Sequence, residues 1–159
     1  MKRFSVLLFL GACGTAEDTG DSVVAEACLH MGSGPYADVT ATETEAGAPE
    51  AMIPHKAVRV ALVPNPEAEG ENIGYVTIAA DEATDYLLFT SVDAPLELTD
   101  GDGAAVDFEA SEAVDACTAV SQQHTVEMGV GTYTLRIGAT AETTVTLVIE
   151  EAAHEGEEH

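Results

Sequence analysis

A chain of 159 residues with 46% hydrophobic content is long enough for one domain with a buried core. Its 29 Asp and Glu against 5 Lys and Arg give a formal charge of −24 at pH 7, which excludes a surface that gathers nucleic-acid phosphates or anionic lipid headgroups. With no Trp and only 5% aromatics, the core has to be built from Val, Leu, Ile and Ala, which suits many short strands.

The chain opens MKRFSVLLFLGAC. Two cations, Lys2 and Arg3, precede an apolar run from Phe4 to Leu10 that is far shorter than the roughly 20 residues needed to span a bilayer. A basic start, a short apolar stretch and small residues after it read as a secretory signal over residues 1–12. Leu10-Gly11-Ala12-Cys13 resembles the lipobox of bacterial lipoproteins. That resemblance implies cleavage before Cys13, lipidation of its sulfur, and a chain held to the bilayer by acyl groups. Gly14 follows the cysteine in place of the Asp associated with inner-membrane retention, which favours the outer membrane, with the domain in the periplasm or at the cell surface. Without the signal, only Lys56, Arg59 and Arg136 face the acids.

Residues 13–23, including GTAEDTGDS, have little to bury and read as a flexible tether. ATETEAGAPEAMIP and PNPEAEGEN, each carrying two prolines, read as loops. Between them the pattern has period 2. Val58, Val60 and Leu62 alternate with Arg59 and Ala61, and Val76 and Ile78 with Tyr75 and Thr77. Leu96 and Leu98 flank Glu97, and Val106 and Phe108 flank Asp107. Near the end, Tyr133, Leu135 and Ile137 alternate with Thr134 and Arg136, and Val145, Leu147 and Ile149 with Thr144 and Thr146. Such alternation marks strands with one face in a core. The only helical candidates are single turns at ADEATD and SEAVDAC. The expected fold is therefore all-β: an antiparallel sandwich of roughly eight short strands over residues 24–150, followed by an acidic, His-containing tail at 151–159.

YLLFTSVDAPLELTDGDGAAV and the later MGVGTYTLRIGA resemble the jelly-roll β-sandwich of bacterial pre-peptidase C-terminal modules. In those modules an Asp-x-x-Gly hairpin follows a strand of alternating Leu, and Gly-Thr-Tyr-Thr-Leu opens a late strand. The resemblance spans about half the chain and implies a fold and an extracellular accessory role, with no chemistry.

Several local patterns invite chemistry and fail on spacing. In LTDGDGAAVDFE a calcium loop counted from Asp100 needs Asp at position five, Gly at six and Glu at twelve; the chain has Ala104, Ala105 and Ser111. Asp-Gly-Asp-Gly between strands is a hairpin turn. In the tail, His154 and His159 stand five apart, about 140° from a shared helical face, so they do not make the paired histidines of a zinc protease. They remain candidates for loose chelation by an acidic tail. Ser33, Ser91, Ser111 and Ser121 lie in no nucleophile motif, so a hydrolase stands last among the readings.

Besides Cys13 there are two cysteines, Cys28 and Cys117, which in an exported chain read as a disulfide. The three methionines after Met1 each lie within four residues of a histidine: His30-Met31, Met52 with His55, and His124 with Met128. Imidazole suits Zn and Cu, and thioether sulfur selects Cu(I). His124, Val126 and Met128 share the apolar face of one strand, and the disulfide carries His30 toward residue 117. Two readings stand: His30, His55 and His124 converge on a Zn or Cu ion with Met31, Met52 or Met128 assisting, or His124 is a satisfied core histidine and the methionines fill gaps. The functional expectation is a lipid-anchored, non-enzymatic binding module of a bacterial envelope, possessing no nucleic-acid partner. The metal site is its sharpest form, and a structural or protein-interaction module facing an envelope partner is the alternative.

Overall fold

The structure, a computed structural model, describes residues 19–53 and 56–152, with side chains from Val23 onward. It begins with helix α1 (Thr19–Ser33) and continues through β1 (Tyr36–Thr40), β2 (Ala57–Ala61), β3 (Val63–Pro64), β4 (Asn72–Ala80) and β5 (Thr84–Thr90). Then follow β6 (Leu96–Thr99), β7 (Ala105–Val106), β8 (Ala110–Ala113), β9 (Gln122–Met128), β10 (Gly131–Thr140) and β11 (Thr144–Glu151).

Eight of these strands form nested antiparallel pairs: β2 with β11, β4 with β10, β5 with β9, and β6 with β7. Folding that ladder over on itself gives two sheets, ordered β1-β2-β11-β5-β9-β8 and β3-β4-β10-β6-β7. This is the all-β, largely antiparallel sandwich expected from the alternation, with the strands nested as in a jelly roll. The three other strands are short additions at sheet edges, and β1 joins β2 in parallel. Asp38 lies opposite Arg59 in that pair; the guanidinium donates two hydrogen bonds to its carboxylate, at 2.8 and 3.0 Å, and rests 4.7 Å above the Tyr36 ring.

The alternating residues do what their period requires. Val58, Val60, Val145, Leu147, Tyr86, Leu88, Val126 and Met128 from one sheet meet Val76, Ile78, Leu98, Leu135 and Ile137 from the other, all within 2% exposure. Gly74 sits in a buried strand because a Cβ there would strike the Ala41 side chain and come within 2.8 Å of Leu62 Cδ2.

Three expectations need correction. Residues 19–23, read as tether, are the start of α1. Its stripe is Val23, Val24, Ala27, Cys28 and Met31, a helical spacing that packs with Ala57, Phe89 and Val148 on the outer face of the larger sheet. The stripe is short, and Leu29, 61% exposed on the far side, blurs it. Gly34, at φ 77°, ends the helix by donating its N–H to the His30 carbonyl at 2.9 Å. ADEATD is not a helical turn but the end of β4, a tight connection and the start of β5, and SEAVDAC begins in β8. Isolated turns of six or seven residues lack the length to hold a helix when their neighbours pair as strands. Among the described residues no helix is long and apolar enough to cross a membrane.

Candidate metal centre

Cys13, His55, His154 and His159 lie outside the described residues. Cys28 and Cys117 form the expected disulfide, closing 89 residues of chain with Cα atoms 6.0 Å apart. It ties α1 to the segment between β8 and β9.

His30 and His124 do not converge. His124 lies opposite Leu88 in the β5–β9 ladder, on the face turned into the sandwich. α1 packs on Phe89, whose side chain leaves β5 on the other face. The larger sheet therefore separates the two histidines: the disulfide draws the helix to the sheet's outer face, where the inner face is closed to it. The methionines divide in the same way. Met31 is buried beneath α1, Met128 lies in the inter-sheet core, and Met52 packs at the edge of that core. Met128 shares the face of His124 but stands four residues along the strand, about 13 Å away. That distance is too great for one ion.

His124, 8% exposed, shares a 2.8 Å hydrogen bond between Nδ1 and Ser111 Oγ and packs on the Phe108 ring at 5.3 Å. Burial holds its pKa below the usual histidine value, with Asp93 pulling weakly the other way. Nε2 is buried with no hydrogen-bond partner. No carboxylate is bonded to the ring to orient it, so Ser111 and His124 form a pair without the third member of a nucleophile's relay. The pair arises from strand register, Ser111 opposite His124, and no local sequence motif announces it.

On the outer face a different set comes together. Glu26 and His30, four residues apart, lie on one side of α1, and Glu150 of β11 faces them. One donor atom from each of the three lies within 4.8 Å of the other two. The His30 side chain is 12% exposed and Glu26 50%, with Nε2 and Oε1 3.4 Å apart. His30 Nδ1 is buried with no hydrogen-bond partner, while Nε2 faces the Glu26 carboxylate. Glu150 also lines a cleft of about 550 Å³ with Glu50, Met52, Asp81 and Glu151. The signal for the helical half of the cluster was Glu26-x-x-x-His30, legible only once α1 is recognised as a helix. Glu150 joins it solely through the docking of α1 on β11.

The calcium reading counted from Asp100 fails on spacing, and the structure shows a turn at its start. Asp100 Oδ1 accepts the N–H groups of Asp102 at 3.0 Å and Ala104 at 2.8 Å, and Gly103 at φ 82° completes the β6–β7 hairpin. No protein-family model and no curated protein matches the chain.

Proposed function

We propose that the chain is an exported, lipid-anchored, non-enzymatic binding module of a bacterial cell envelope that holds a transition-metal ion, Zn or Cu, at His30. The observation that carries this reading is the imidazole of His30, nearly enclosed between carboxylates that come from two different elements. The Leu10-Gly11-Ala12-Cys13 run supports the anchor, and the Cys28–Cys117 disulfide fits an oxidising compartment. α1 starts six residues after Cys13, so the anchored chain presents this site close to the bilayer. Association with lipid then depends on the acyl groups, because the acidic surface repels anionic headgroups.

Expression of the full chain in a bacterium fed radiolabelled palmitate tests the reading. The chain should take up label and sediment with membranes, and Cys13→Ser should lose both properties. After metal loading and extensive washing, the purified chain should retain about one equivalent of Zn or Cu. Label that persists in Cys13→Ser overturns the anchor, and a washed chain free of metal overturns the ligand.

A further inference from the structure

We infer that Glu26, His30 and Glu150 form a three-ligand site for a divalent ion of the zinc class, excluding Cu(I), and that the bound ion fastens α1 to β11. This inference rests on the metal-binding reading and narrows it to a ligand set, a class of ion and a structural consequence.

Spacing is the first argument. A tetrahedral ion with bonds of about 2.1 Å holds its donors about 3.4 Å apart. His30 Nε2 and Glu26 Oε1 stand 3.4 Å apart, and one carboxylate oxygen of Glu150 lies within 4.8 Å of a donor atom of each residue. A charge-assisted hydrogen bond between imidazolium and carboxylate closes to roughly 2.7–2.9 Å. The observed separation lies at the long end of a His–Glu hydrogen bond and matches the spacing of two ligands of one ion.

Charge is the second. Two carboxylates and a neutral imidazole bring two negative charges, which balance a divalent cation. The surrounding chain, at −24, adds a field of the same sign.

Donor softness is the third. Oxygen and imidazole donors suit Zn(II) and its divalent neighbours, whereas Cu(I) requires thiolate or thioether. The sulfurs nearby are unavailable to it. Cys28 is oxidised in the disulfide, and Met31, next to His30 in sequence, is 7% exposed in the layer between α1 and the sheet. Three protein ligands leave a fourth position, open to water on the exposed side of Glu26. Since the donors straddle a helix and a strand, the ion closes a second clasp on α1 beside the disulfide.

The test uses the full chain, purified from whichever cell fraction holds it and stripped with chelator. It is titrated with Zn(II) against a chromophoric competitor in physiological salt and excess Mg(II), which occupies the diffuse acidic surface. One equivalent should bind, and Glu26→Gln, His30→Gln and Glu150→Gln should each weaken it by about tenfold or more. Glu112→Gln, an exposed acid on β8, should leave it unchanged. Zn(II) should slow amide hydrogen exchange across residues 24–33 in the parent chain but not in His30→Gln, a readout independent of affinity. Retention of Zn(II) with unaltered affinity in Glu26→Gln and Glu150→Gln overturns the ligand set while leaving metal binding in place. Tighter holding of Cu(I) than Zn(II) overturns the class of ion. Unchanged exchange in α1 overturns the clasp, and failure to bind any metal overturns this inference together with the reading beneath it.

Discussion

Two buried polar side chains in the sandwich meet different fates. Tyr86 is fully buried, yet its hydroxyl bonds the backbone of Glu82, accepting from N–H at 3.4 Å and donating to the carbonyl at 3.2 Å. Burial pushes its phenol pKa up. His124 satisfies one ring nitrogen and leaves the other without a partner. Its neutral form is the one the core accepts, so its folded pKa lies below the unfolded value of about 6.5. Between those two values the unfolded chain binds the extra proton. The contribution of His124 is therefore complete above about pH 6.5 and is lost as pH falls below it. Urea unfolding followed from about pH 7.5 to 5.5 should show a steeper loss of stability in the parent chain than in His124→Gln; parallel slopes would remove His124 as the cause. That His124 points inward was legible from its alternation with Val126 and Met128. Its Ser111 partner was not, because β8 and β9 find their register only when paired.

At the scale of elements, α1 is the part least visible in the sequence. Five apolar residues at helical spacing were present, but two glycines, an exposed Leu29 and acidic neighbours leave the stripe without a clean polar face. What holds the helix is external: the Ala57, Phe89 and Val148 surface and the disulfide. Cross-linking 89 residues of the unfolded chain contributes about 4.5 kcal/mol in the chain-entropy account. Replacing Cys28 and Cys117 together by Ser should lower Tm by roughly 10–15 °C. The loss should appear first as fast amide exchange in α1 while β2, β5 and β11 stay protected. Equal loosening of helix and strands would instead mean that the disulfide supports the sandwich as a whole.

Across the whole molecule, a formal charge of −24 predicts long-range self-repulsion. Among the described residues two arginine–carboxylate contacts, Arg59 with Asp38 and Arg136 with Glu97, are set against an acidic excess of 24 in the whole sequence. Raising NaCl from about 0.01 to 1 M shortens the Debye length from roughly 30 to 3 Å and screens that repulsion. Thermal stability should therefore rise with salt, and a flat or falling Tm would show that repulsion carries little of the free energy.

The sandwich was legible because a period of two forces every second side chain into a core, wherever the strands end up. Val58 and Val60, Leu135 and Ile137, and Val145 and Leu147 carry that instruction within their own segments. The disulfide was legible for a similar reason, since only one pair of cysteines follows Cys13. Which residues stand beside His30 was not written in any local segment. Glu26 reaches it through a helix whose stability comes from the sheet beneath, and Glu150 arrives from 120 residues further along the chain. The separation of His30 from His124 has the same origin. Alternation turned His124 toward the core, and only the docking of α1 on the outer face of the larger sheet decided where His30 would stand.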